Sequence, residues 1–370
     1  MASAGGKHAI IPGIQYLRGI CAVMVVYSHA AGMMAYPEYF GTSPGNLKGL
    51  GVFGVACFFA ISGYIIVLVA LNERMEPVIG LSKYARRRFV RIVPFFWLCV
   101  IGYNALSYIA TGKLELLDGL KTLAVWPAGE LRPNVAWSLR HEFLFYVLFA
   151  LAFLMGGRRR PIILYAWFAS PLIFWGAVAL FAPGLPEANP VWFEYVATIF
   201  GGSLRGANLQ FAVGFFVAII WLRNKPSAWN IGATHLWVVS ALVGAIYVYV
   251  GEITGFTASI LATILAIIPF LMALKVAERE GWFHKLNMEL GNASFSIYLV
   301  HNVALLALLK MAAPHRDVIP AALFFPVSIV LATAFGVVVH RLVEAPLINH
   351  LVRRPPQATA DLATPQRNSA

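Results

Sequence analysis

Long apolar runs, separated by short polar or basic stretches, set the pattern of this chain. About ten of them approach the ~20 residues that an α-helix needs to cross a hydrocarbon core. They fall near 14–35, 50–71, 92–111, 137–156, 161–182, 207–222, 232–250, 255–275, 290–312 and 320–342. The pattern predicts an all-α, polytopic membrane helix bundle without a visible internal repeat. The sixth run is short and the fourth carries charge, so the count stands to within one. The chain divides into an N-terminal cytoplasmic segment (1–13), a transmembrane domain (14–347) and a disordered cytoplasmic tail (348–370) rich in Pro, Ala, Thr and Gln.

The first run carries two ionisable side chains, Arg18 and His29. Each costs roughly 2.5–3.5 kcal/mol at the centre of a lipid-facing helix, so the pair points to a helix facing a polar interior. Eleven residues at about 100° each return to within about 20° of the starting direction, which puts both on one face, roughly 16 Å apart. A plainer account has Arg18 snorkelling to headgroups and His29 at the opposite interface.

Other runs break their apolar pattern in specific places. The 50–71 segment has small residues at Gly51, Gly54, Ala56, Ala60, Ser62 and Gly63, which let helices approach closely. Residues 82–97 place Arg86, Arg87, Arg88 and Arg91 ahead of a membrane helix, with Pro94 expected in its first turns. Arg88 and Arg91 share a helix face. They suit phosphate oxygens, anionic headgroups, or a topology anchor. Residues 112–136 read as an outer-face loop.

The next span opens WSLRHEFLFYVLF, where Ser138, Glu142 and Tyr146 line one face. A carboxylate there needs a partner. His29 on another helix is one choice, and Arg140 or a neighbour the other. Within 183–206, residues Val191 to Phe200 read as an interfacial helix. On 291–302, Ser294, Tyr298 and Asn302 form one face, and Ser294, Ile297 and His301 an adjacent one. Inner-face salt bridges account for His340, Arg341 and Glu344.

Composition agrees with the pattern. The 370 residues are 60% hydrophobic and only 12% charged, with a mean hydropathy of +0.74. The net charge of +12 is no nucleic-acid signature, because the cations cluster at helix ends. With the N-terminus inside, the inner segments hold Lys7, Arg74, Lys83, Arg86, Arg87, Arg88, Arg91, Arg158, Arg159, Arg160, Arg223, Lys225, Lys275, Arg279, Lys285, Arg353, Arg354 and Arg367. The outer loops hold Lys48, Lys113, Lys121, Arg132, Arg205 and Arg316. Eighteen against six predicts that both termini are cytoplasmic. Cys21, Cys57 and Cys99 all lie in apolar runs, which supports neither a disulfide framework nor a metal site. The N-terminus shows no removable signal peptide.

Six motifs in order resemble the acyltransferase-3 family of integral membrane O-acyltransferases. They are Leu17-Arg18-Gly19 with His29, and Phe58-Phe59-Ala60-Ile61-Ser62-Gly63-Tyr64. Arg88-Phe89-Val90-Arg91-Ile92-Val93-Pro94 and Trp137-Ser138-Leu139 with Glu142 and Phe145-Tyr146 follow. Ser294-Phe295-Ser296-Ile297-Tyr298-Leu299 with His301, and Glu344 with Pro346, complete the set. The resemblance implies about ten helices and transfer of an acyl group, usually acetyl, from cytoplasmic acyl-coenzyme A. The acceptor is usually a sugar hydroxyl of a surface polysaccharide, glycolipid or glycosylated product.

Residue by residue, the resemblance implies His29 as the catalytic histidine, Arg18 as its partner position, Arg88 and Arg91 as the coenzyme-contacting pair, and Glu142 as the acidic position. Arg140, His141 and Phe143 depart from the family's usual residues around Glu142. The chain is similar to stand-alone forms that decorate exopolysaccharide, in the inner membrane of bacteria.

The expected mechanism has His29 as general base, oriented by Glu142 as in a triad. Coenzyme phosphates rest on Arg88 and Arg91, and Ser138, Tyr146, Ser294, Tyr298 and His301 support the site. No metal or nucleic acid is expected. The rival reading is a transporter or flippase of a lipid or sugar precursor, which also wants a polar path through a bundle.

Overall fold

A computed structural model describes residues 11–45, 47, 49–113, 115–157, 159–201, 206–223, 231–250, 255–277 and 280–352. The expectations for residues 1–10 and 353–370 lie outside the described residues, as do Lys48, Arg158, Arg205, Lys225 and Arg279 of the charge count.

The chain forms α1 (Pro12–Met34), α2 (Leu50–Ala70), α3 (Leu81–Thr111), α4 (Leu116–Leu123), α5 (Ala136–Leu154), α6 (Arg159–Phe181) and α7 (Leu185–Ala188). It continues through α8 (Val191–Ile199), α9 (Ala207–Arg223), α10 (Ala233–Val250), α11 (Gly255–Ala273), α12 (Trp282–Ala312) and α13 (Ala321–Val339). A π-turn (His340–Glu344) then leads into α14 (Ala345–Val352). Among the described residues there is no strand beyond the isolated bridges Leu71–Pro77 and Ile231–Val276.

Among the described residues, eight helical stretches are long and apolar enough to cross a membrane, with α9 and Thr257–Ala273 of α11 as shorter apolar helices. The protein is an all-α, multi-pass bundle, and each apolar run of the sequence is the body of one helix.

Two boundaries move. α3 begins at Leu81, so the arginine run is the first three turns of the same helix and Pro94 sits in its interior. A membrane bundle tolerates such a proline because neighbours re-satisfy the freed carbonyl. α12 likewise begins at Trp282, not at 290. In both cases helical hydrogen bonding continues past the apolar run into polar turns. At the other end, α14 carries helix to Val352, past the expected tail boundary at 347.

α1 is the centre of the bundle and packs on α2, α10, α11, α12 and α13. Leu17, Ile20, Cys21, Ala22 and Val26 are fully buried. Small residues set these approaches. A Cβ on Gly291 of α12 would lie 2.2 Å from the Gln15 carbonyl oxygen of α1. The tightest contact joins α2 and α9, where a Cβ on Gly214 would lie 1.8 Å from the Ala60 carbonyl oxygen. The expected packing role of small residues in α2 is borne out at Gly63, where a Cβ would lie 2.2 Å from the Phe211 carbonyl oxygen of α9.

The connections are built rather than bare. In 112–136, α4 and the following turn satisfy their own charges: Arg132 pairs with Glu115, and Lys121 lies 3.3 Å from Asp118. In 183–206, α8 forms as expected; residues 202–205 lie outside the described residues. Phe193 of α8 packs on Trp175 of α6. Glu194 accepts the Gly129 N–H at 2.7 Å and faces Arg140 at 3.7 Å. Arg140 is therefore spoken for by α8 and not by Glu142. At the π-turn, Glu344 takes Ser296 Oγ at 2.6 Å and His340 Nδ1 at 2.8 Å, while Arg341 holds Glu289 at 2.6 Å.

Gly214→Val forces backbone against backbone and is expected to destabilise the protein by about 2–3 kcal/mol. Gly102→Ala on α3 has nothing within 4 Å of the added carbon and should hold or raise the melting temperature. Thermal unfolding of both purified variants in detergent checks the contrast.

Candidate functional site

Two cavities lie along α1. The first, of about 100 Å³, is lined by Arg18, by Ser62 and apolar residues of α2, by Arg88 and Arg91, by Ser138, Glu142 and Tyr146, and by Ser294 and Tyr298. Eight of the ten residues singled out from sequence therefore meet in one place: all except His29 and His301.

The charges in this cavity are arranged around Glu142. Its Oε1 accepts hydrogen bonds from Ser62 Oγ at 3.0 Å and from the Tyr146 hydroxyl. The Arg88 guanidinium lies 5.6 Å from the centre of the Tyr146 ring, a cation–π contact. Among the described residues Arg88 Nε is buried without a hydrogen-bond partner, while Arg91 is exposed. The cavity mouth thus combines an open cation with a guanidinium that has donor capacity to spare, a set that fits phosphate oxygens. Arg18 is 9% exposed, donates to Gln15 Oε1 at 3.2 Å, and lies within electrostatic reach of Glu142, Glu344 and Arg91.

His29 lines a different cavity, of about 410 Å³, at the other end of α1. Tyr36, Tyr103, Glu130, Arg132, Asn134 and Asn302 line it too. His29 Nδ1 lies 2.6 Å from His301 Nε2, and the two rings are nearly parallel at 12°. The shared stripe of Arg18 and His29 is thus real, and both ends face hollows rather than lipid.

Among the described residues the hollow is not one tunnel. Between the cavities, the Tyr298 hydroxyl donates to the Val135 carbonyl at 2.8 Å and lies 2.7 Å from Ser138 Oγ. Phe58 packs edge-on against the Tyr298 ring, with centroids 6.2 Å apart. Tyr298 faces the first cavity, and Asn302, one helical turn on, faces the second.

The expected His29–Glu142 pairing is not formed. The Ser138–Tyr298 bond fixes the register of α5 against α12. Glu142 lies one turn from Ser138 towards the arginines, and His301 three residues from Tyr298 the other way. Their separation along the helix axes is about 10 Å. Glu142 therefore bonds to Ser62 and Tyr146, and His29 bonds to His301. Ser62 was legible only as a small spacer; a hydroxyl in the middle of an apolar helix was the signal that it had a partner to meet.

Comparison with known proteins identifies the family. The acyltransferase-domain family model, Acyl_transf_3, matches residues 11–341. The chain is 28% identical over 332 residues to the exopolysaccharide production protein ExoZ of Rhizobium meliloti (strain 1021), covering 85% of this chain and 94% of that protein. It is 25% identical over 382 residues to the acyltransferase MdmB of Streptomyces mycarofaciens, covering 95% of each. No solved structure matches. With a bundle of apolar helices and a family match over residues 11–341, the chain belongs to the acyltransferase-3 family of membrane acyltransferases.

Proposed function

We propose that this protein moves an acetyl or other short acyl group from cytoplasmic acyl-coenzyme A to a hydroxyl of a surface or exported polysaccharide or glycolipid, in the bacterial inner membrane. The observation that carries this reading is that one buried helix presents Arg18 to a basic-mouthed cavity and His29 to a polar one beyond it.

The donor's phosphates rest on Arg88 and Arg91, and its thin pantetheine arm threads the first cavity past Glu142 and Tyr146. Glu142 holds the positive charge of the mouth in balance. The acceptor occupies the second cavity, where Glu130, Asn134 and Asn302 offer both donors and acceptors and Tyr36 and Tyr103 offer rings. That mixture suits a ligand rich in hydroxyls.

In the transfer step, His29 takes the hydroxyl proton, the oxygen bonds to the thioester carbonyl carbon, and the carbon–sulfur bond breaks. Coenzyme thiolate leaves and takes up a proton. The reading requires the Tyr298 ring to move aside, since it stands between the thioester and His29. A flippase would show neither thiol release nor ester formation.

His29→Ala is expected to lower acyl transfer by about 10²–10⁴-fold while the protein still inserts and folds. Base-labile acetyl groups on surface and secreted glycans, counted by NMR in strains carrying either form, give the answer. Wild-type ester levels in the variant would overturn the assignment.

Arg88→Ala combined with Arg91→Ala removes charge-assisted bonds worth about 1.5–3 kcal/mol each. The KM for acetyl-coenzyme A should rise at least tenfold with kcat less affected, as read from thiol release by membrane vesicles. An unchanged KM would return these arginines to a topology role.

A further inference from the structure

His301 is fully buried, with 0% exposure, and both of its nitrogens are engaged. Its Nδ1 lies 3.0 Å from the Ile297 carbonyl oxygen, and its Nε2 lies 2.6 Å from His29 Nδ1. A carbonyl oxygen only accepts, so the hydrogen of that bond sits on His301 Nδ1. In a neutral imidazole the other nitrogen then carries a lone pair. The bond to His29 must therefore be donated by His29 Nδ1–H.

The consequence passes to the second ring. With its hydrogen on Nδ1, His29 keeps its lone pair on Nε2. Proton transfer from a hydroxyl needs that lone pair at a fixed nitrogen, held in a fixed plane. The nearly parallel rings and the short bond supply the plane. The chain thus runs Ile297 C=O, His301, His29, and it performs with a backbone carbonyl and an imidazole the task that a carboxylate performs in a Ser-His-Asp arrangement. A neutral imidazole in that place needs no buried counter-charge.

We infer that His301 is a positioning residue that fixes the tautomer and plane of His29, making Nε2 the nitrogen that takes the acceptor's proton. The inference rests on the acyl-transfer reading for its functional consequence, and on geometry alone for the tautomer.

The test has two arms, both on the full chain in lipid nanodiscs or membrane vesicles. In the first, ¹⁵N-histidine NMR of the wild type should show His29 and His301 as neutral rings protonated at Nδ1, assigned by loss of their signals in His29→Ala and His301→Gln. His301→Leu should turn the His29 signal into a tautomer mixture, and His301→Gln, whose side-chain oxygen can accept the same bond, should keep the Nδ1–H form. A wild-type His29 protonated at Nε2 would overturn the inference.

In the second arm, labelled acetyl-coenzyme A is supplied to vesicles from glycan-producing cells. His301→Leu should lower kcat at least tenfold with the KM for acetyl-coenzyme A unchanged, and His301→Gln should recover to within about threefold of wild type. Wild-type kcat in a folded His301→Leu, with His29→Ala inactive, would sink the positioning role and leave the acyl-transfer reading standing. Full activity of His29→Ala would instead sink that reading, with the tautomer arm unaffected. If His301→Leu fails to fold, a His301→Gln as inactive as His29→Ala would overturn the inference, since it retains the acceptor.

Discussion

A guanidinium and an imidazole on one helix inside hydrocarbon make the demand that the rest of this bundle answers. Neither Arg18 nor His29 can face lipid cheaply, so α1 has to be wrapped. The wrapping is physical: five helices close on it, and contacts such as that of Gly291 with the Gln15 backbone bring them near enough to exclude lipid. Once α1 is enclosed, each ionisable group needs polar company, and the two cavities provide it. At one end the company is charged, with Glu142, Arg88 and Arg91 close by. At the other it is a second imidazole and a ring of hydrogen-bonding side chains.

Much of the fold was legible because apolar run length is itself the physical constraint on a membrane helix. Where the reading fell short, at the starts of α3 and α12, the helix continues beyond hydrocarbon into turns whose polarity hides it from a hydropathy pattern. The membership of the first cavity was legible too. Ser138, Glu142 and Tyr146, and Ser294 and Tyr298, are polar stripes on otherwise apolar helices, and such stripes converge.

Who pairs with whom was a different matter. Periodicity gives the direction of a side chain around its own helix and nothing of its depth relative to another helix. That depth is set by a tertiary contact, the Ser138–Tyr298 bond, and it separates Glu142 from His29. The identity of His29's partner was open for the same reason. Two intramembrane imidazoles, each in want of a neighbour, were the available clue. Ser62, read as a small residue for helix approach, serves Glu142 instead.

The wall at Tyr298 has a consequence for the cell that houses this protein. A water-filled bore through a membrane bundle would let protons and ions run down their gradients. Here the two hollows stop back to back, with an aromatic ring, a serine and a backbone carbonyl between them. That partition keeps the charged lining of one hollow apart from the hydrogen-bonding lining of the other.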